Sequence, residues 1–167
     1  ETPHIDALRA NGMKFNRHYA AAPVCAPTRC MLMTGRHSGN AYIRGNDEWG
    51  SRGNVWDYNA MLSDPNLEGQ RPLADSIQTI AQVLQSSGYH TGMVGKWGLG
   101  APLTNSIPTK KGFDYFYGFL SGGHNYFMNQ LTIENLENVK SKWAWYRTKL
   151  KENHKTLEFE DYKTDYL

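Results

Sequence analysis

"PVCAPTRCMLMTGRH", residues 23–37, places a cysteine two positions before a proline and four before an arginine. It then runs through apolar residues to Thr-Gly-Arg. Residues 28–34 hold no helix breaker, Pro27 suits a first helical position, and Gly35 suits a left-handed helix end. The pattern predicts a helix over 28–34 with Cys25 just ahead of its start. Unpaired N–H groups and the positive dipole end of a helix face such a position. They lower a thiol pKa and favour an anionic ligand. Arg29, one turn on, adds a permanent charge with a rigid donor fork. Cys25 and Arg29 together are a candidate anion site. The alternative is a small buried thiol beside a surface arginine. Cys30 is the second of two cysteines. A Cys25–Cys30 disulfide needs Cα atoms within about 7 Å and a non-helical backbone after Pro27. A zinc half-site needs a second cysteine pair, which the chain lacks.

Upstream, residues 3–14 read as a helix ending near Gly12, and "KFNRHYAAAP" as a short strand and loop. Downstream, residues 36–72 are loop-rich. "GRHSGNAYIRGNDEWGSRGN" alone has five glycines and three asparagines, and a long irregular stretch in a domain is usually functional or mobile. "SIQTIAQVLQSSGY" is the clearest helix, with Ile77, Ile80, Ala81, Val83 and Leu84 on one apolar face and Gly88 as its stop. "HTGMVGKWGLG" reads as a strand entering a glycine-rich loop. "GFDYFYGFLSGGHNYF" is aromatic and glycine-rich, and residues 134–167 are polar, a helix or an irregular insertion. Helix and strand signals alternate, which predicts an α/β layered architecture.

The 167 residues suit one domain, and 40% hydrophobic with 20% charged residues suits a globular chain. A net charge of +2 with scattered Lys and Arg gives no nucleic-acid footprint. No apolar run approaches the roughly 20 residues of a membrane helix. No signal-peptide pattern is visible, and both ends of the sequence are abrupt, as in a mature form, a processed piece or a portion of a longer protein.

"CAPTRCMLMTGR" resembles the first signature of the type I sulfatases, Cys-x-Pro-Ser-Arg with an apolar run and Thr-Gly-Arg. Thr28 stands where Ser is more usual. "GYHTGMVGKWGLG", residues 88–100, resembles the second, Gly-Tyr-x-Thr…Gly-Lys-Trp-His-Leu-Gly, with Gly98 where many members carry an active-site His. "TPHIDALRANGMKFNRHY", "IRGN" and "KGFDYFYGF" agree as flanks. The resemblance runs from about Thr2 to Tyr126.

The resemblance implies an arylsulfatase-like hydrolase of alkaline-phosphatase-like α/β/α sandwich fold, only part of it present here. Residues 1–167 would be a partial catalytic domain, 1–130 bearing both signatures and 131–167 an insertion or continuation. It implies that Cys25 is oxidised to formylglycine by a generating enzyme that reads Cys25, Pro27 and Arg29. The hydrated aldehyde attacks sulfur with one hydroxyl and expels sulfate with the other, a covalent route with a built-in release step. It implies Ca²⁺, with the residue-25 hydrate as one ligand. The family's Asp pairs are not found, and no Asp-Asp occurs. The chain alone is therefore expected to bind calcium poorly and to be inactive, the remaining segments of the domain supplying those ligands. Exposed apolar surface is expected where those segments pack.

The resemblance gives Arg29 the task of holding the diol and Lys96 that of pairing with a sulfate oxygen. Ser121 and His124, in "SGGHNYF", stand near its Ser-His loop by the sulfate. Arg44 and Asn46, in "IRGN", either contact substrate or hold their loop. Trp49, Trp56, Tyr58 and Tyr126 stack on sugar rings or fill the core. Gly98 leaves leaving-group protonation to another residue or marks a less active site. The implied substrate is a sulfated small molecule or carbohydrate, in a periplasmic, secreted or lysosomal setting. The alternatives are a phosphonate or phosphate ester hydrolase of the same superfamily and a non-catalytic fragment lacking the metal carboxylates.

Overall fold

A helix can begin ahead of a proline, because the first four N–H groups have no intrahelical partner and the missing donor leaves no gap. In the computed structural model, which describes residues 1–46, 51–52, 55–56, 71–100, 104–120, 122 and 150–157, helix α2 accordingly spans Cys25–Thr34. It starts three residues before the sequence pattern placed it, so Cys25 is its first residue and does not precede it. Gly35 closes α2 at φ 66° and donates to Met31 O at 2.9 Å. The chain enters α2 through a tie made by Thr28. Its hydroxyl donates to Ala22 O at 2.7 Å and accepts from Ala22 N at 3.1 Å.

Helix α1, Pro3–Asn11, matches the expected segment but buries no residue. No strand forms over residues 12–24, where a short one was expected. Helix α3 spans only Ile80–Ser86, because Thr79 and Gln82 form a reciprocal capping box that sets its start. Its expected apolar face is mostly outside: Ala81 is buried, while Ile80, Val83 and Leu84 are exposed. The helix presses backbone against backbone on residue 112, where a Cβ would lie 2.3 Å from Gln82 N. That close approach turns Ala81 inward and the larger side chains outward. Ile5, Leu8, Met13, Phe15 and Tyr19 are exposed as well.

Short strands β1 (Ser51–Arg52) and β2 (Val55–Trp56) pair with each other. The main sheet has the order β3 (Gly92–Lys96), β4 (Tyr115–Phe119), β5 (Lys151–Glu152) and β6 (Lys155–Thr156). β3 and β4 run parallel, from Gly92↔Tyr115 to Lys96↔Phe119, and β5 and β6 add antiparallel. Gly118 is required by proximity: a Cβ there would lie 1.8 Å from Gly95 O on the neighbouring strand. At the strand starts, the Thr91 hydroxyl donates to Gly112 O at 2.5 Å and lies 3.0 Å from an Asp114 carboxylate oxygen. Asp114 accepts from Thr91 N and Gln85 Nε2.

The core lies between α2 and the sheet. Ala26 and Cys30 of α2 meet Ile43 and Leu73 from the loops, Trp97 and Leu99 after β3, Ile107, and Phe116 and Leu120 of the β4 region. Trp97 is 1% exposed and donates its indole N–H to Ser106 O at 2.8 Å. Parallel strands joined through residues 97–114, with helices packed beside them, make this a mixed α/β arrangement.

Candidate active site

Two elements far apart in sequence converge at Cys25. α2 brings the thiol to its N-terminal end, and β3 delivers Lys96 at its carboxyl end, the edge where open α/β sheets place ligands. Lys96 Nζ donates to Cys25 Sγ at 3.2 Å. Arg29, one turn along α2, sends Nη1 to the carbonyl of Lys96 at 2.5 Å. Its guanidinium thus fixes the end of β3 against α2 and makes no hydrogen bond to Cys25. Arg29 Nε is buried with no partner among the described residues. Burial pulls the Arg29 pKa down, with the Cys25 charge acting the other way.

Asn46 is the third side chain at the thiol. Its Oδ1 lies 3.0 Å from Cys25 Sγ and 3.2 Å from Ala26 N. Ala26 N–H can only donate, so the atom facing it is the amide oxygen, and Cys25 S–H is the donor to the same oxygen. Burial pushes the Cys25 thiol up. The Lys96 hydrogen bond and charge, with the N–H groups of Ala26 and Cys25, outweigh it and hold the thiol below its ordinary value. Cys25 and Cys30 are both free and form no disulfide here; Cys30 is fully buried in the core.

The structure thus brings Cys25, Lys96 and Asn46 together and places Arg29 behind them. Pro27 is buried in the first turn of α2. Arg44 is exposed on the loop that carries Asn46. Ser121 and His124 lie outside the described residues, as do Trp49, Tyr58, Tyr126 and the side chain of Trp56. Gly98 is buried at φ 69°, a left-handed conformation that glycine adopts freely, and donates to Leu120 O at 3.0 Å. Sequence reasoning did not find the Asn46 contact, because no local pattern links positions 21 residues apart.

An anion fits this setting: the positive end of α2 and the Lys96 ammonium meet at one half-buried point, with the Arg29 guanidinium behind them. A hard divalent cation needs six to eight oxygens. Among the described residues no three His, Cys, Asp or Glu side chains converge, and the one oxygen at Cys25 is the neutral Asn46 amide. These residues alone do not fit Ca²⁺.

The family model described as Sulfatase matches residues 1–162. Human arylsulfatase D is 36% identical over 122 residues, covering 70% of this chain and 18% of its own length. Human steryl-sulfatase is 38% identical over 122 residues, 70% and 19%. The arylsulfatase of Klebsiella aerogenes is 29% identical over 136 residues, 81% and 26%. The crystal structure of Ps i-CgsB superposes over 99% of this chain and 33% of its own, with TM-score 0.66 and 31% identity. The same protein has been solved with k-i-k-neocarrahexaose. The chain spans about a fifth to a quarter of the curated relatives it matches.

Proposed function

The chain belongs to the sulfatase family, and from that premise we propose that the protein containing it hydrolyses sulfuric esters at residue 25. The observation that carries this reading is the placement of Cys25 Sγ at the start of α2, 3.2 Å from Lys96 Nζ and 3.0 Å from Asn46 Oδ1. We read Cys25 as the precursor of formylglycine, within the Cys25–Pro27–Arg29 pattern that a formylglycine-generating enzyme would recognise. The site suits the converted side chain: a hydroxyl in place of the thiol would find a donor in Lys96 and an acceptor in Asn46. The hydrated formylglycine supplies a nucleophile that can release its own sulfate ester.

The chain's residues then have separable tasks. Lys96 puts a compact positive charge where sulfate oxygens gather charge as the ester bond breaks. Arg29, through the Lys96 carbonyl, holds β3 and α2 at fixed spacing, so nucleophile and ammonium keep their geometry. The positive end of α2 favours negative charge on the sulfate group held at residue 25. A Ca²⁺ ion of the kind the resemblance implies would take its carboxylates from outside the described residues. Ser121 and His124 remain candidates beside the sulfate, and Arg44 for contact with the substrate. Names such as arylsulfatase D and steryl-sulfatase, and the carbohydrate held by Ps i-CgsB, support aryl or carbohydrate sulfates as the substrate class.

The test uses the intact protein made with and without a formylglycine-generating enzyme. Conversion is read by mass on the Cys25 peptide, as sulfur replaced by oxygen with loss of two hydrogens. Converted protein should hydrolyse a chromogenic aryl sulfate, and Cys25→Ala should lower the rate by about 10³-fold or more. Equal rates for the two proteins would remove Cys25 from the mechanism. Faster turnover of the matching aryl phosphate would transfer the assignment to phosphate esters.

A further inference from the structure

Helix α2 starts with no cap of its own. Val24, at its N-cap, offers no side-chain hydrogen bond, and its first turn holds no acidic residue. The oxygen that satisfies Ala26 N comes instead from Asn46, on a separate loop. We propose that Asn46 is a positioning residue that caps α2 through Ala26 N–H and, with the same oxygen, holds the γ-atom of residue 25 against Lys96.

Three observations favour this over the two roles that "IRGN" suggests in sequence. The amide oxygen has two lone pairs, and Cys25 and Ala26 occupy both, so it is not available to a substrate. Both partners lie in α2, so the oxygen does not serve to knit its own loop. The loop is instead fixed from below. Ile43 is fully buried in the core, Ala41 is 6% exposed, and the Arg71 guanidinium lies 3.8 Å over the Tyr42 ring while donating to Tyr42 O at 3.0 Å. A carbonyl three residues after such an anchor is held with little freedom, as a positioning group must be. An acceptor at this point orients whatever donor residue 25 carries. For a thiol that is S–H; for the converted residue it is one hydroxyl. That hydroxyl's proton then points at Asn46, and its lone pairs face Lys96 and the incoming ester.

The inference rests on the sulfatase reading, so its test has one arm that does not. Intact protein carrying Asn46→Ala or Asn46→Asp is made unconverted and converted. In the unconverted protein, amide hydrogen exchange is followed at Ala26, with Phe116 as a core reference. Asn46→Ala should speed exchange at Ala26 about tenfold and leave Phe116 unchanged; Asn46→Asp, which keeps the acceptor, should protect Ala26 as the native residue does. In the converted protein, scaled to formylglycine content, Asn46→Ala should lower kcat about tenfold with KM within about twofold. Asn46→Asp should recover most of that loss. Unchanged Ala26 exchange in Asn46→Ala, a raised KM with native kcat, or Asn46→Asp as poor as Asn46→Ala would each overturn the proposal. A converted native protein without sulfatase activity would defeat the functional reading and leave the exchange arm to decide the role of Asn46.

Discussion

At Cys25 the decisive neighbour is a single ammonium. Among the described residues, Lys96 Nζ, 3.2 Å from Sγ, is the one cation whose hydrogen bond reaches the residue-25 side chain directly, since Arg29 is committed to the Lys96 carbonyl. A charge aimed at oxygens that become more negative in the transition state contributes more there than in the ground state. Lys96→Ala should therefore lower kcat/KM for an aryl sulfate by about 10²- to 10³-fold, with formylglycine content unchanged. Lys96→Arg should restore little, because a planar fork does not occupy the place of a compact ammonium. Steady-state kinetics scaled to conversion check both. Full activity in Lys96→Ala would assign the sulfate-binding charge elsewhere.

At the level of elements, the parallel pair β3–β4 is tied at its start by polar bonds and at its middle by the absence of side chains. Asp114 gathers Thr91 N, Gln85 Nε2, the Thr91 hydroxyl and, at 3.2 Å, His90 Nδ1. The Thr91 N–H chiefly, then Gln85, bring its carboxyl from the ordinary 3.8 to about 2. A carboxylate with a depressed folded pKa stabilises the fold above its unfolded pKa, and that contribution fades as pH falls toward the folded value. The structure should therefore lose stability between pH 3.8 and about pH 2 on account of Asp114. In Asp114→Asn this portion of the acid slope should vanish, as urea midpoints measured across that range would show. An identical slope in both proteins would mean that other carboxylates govern the acid limb.

On the scale of the whole molecule, one buried core joins the elements that carry the site. Trp97 follows Lys96 directly, is 1% exposed, meets Phe113 edge-on at 6.2 Å and bonds to Ser106 O. Trp97→Ala should destabilise the fold by about 3–5 kcal/mol through lost packing and the cavity left behind. Because the same residue anchors the end of β3, activity should fall at temperatures where the fold remains intact. Denaturant unfolding and kinetics on one preparation separate the two effects. Around that core, no helix among the described residues is long and apolar enough to cross a membrane. The apolar side chains of α1 and the outer side chains of α3 remain exposed.

The sequence by itself determined the local pieces: the helix ending at Gly35, the strand leading to Lys96, and the two signatures that identify the family. These are properties of near neighbours, where propensity, caps and motif spacing act over a few residues. It did not determine that α2 starts at Cys25, that α3 turns Ile80, Val83 and Leu84 outward, or that Arg29 serves the Lys96 carbonyl. Nor did it reveal that Asn46 supplies the cap Val24 cannot. Each of those depends on a partner 20 to 67 residues away, brought near only when the core around Trp97, Ile43 and Cys30 closes. Burial of that core is roughly additive and non-directional, so the pattern of apolar residues foretells that it forms. Which polar atoms it leaves face to face is set by the packed geometry alone.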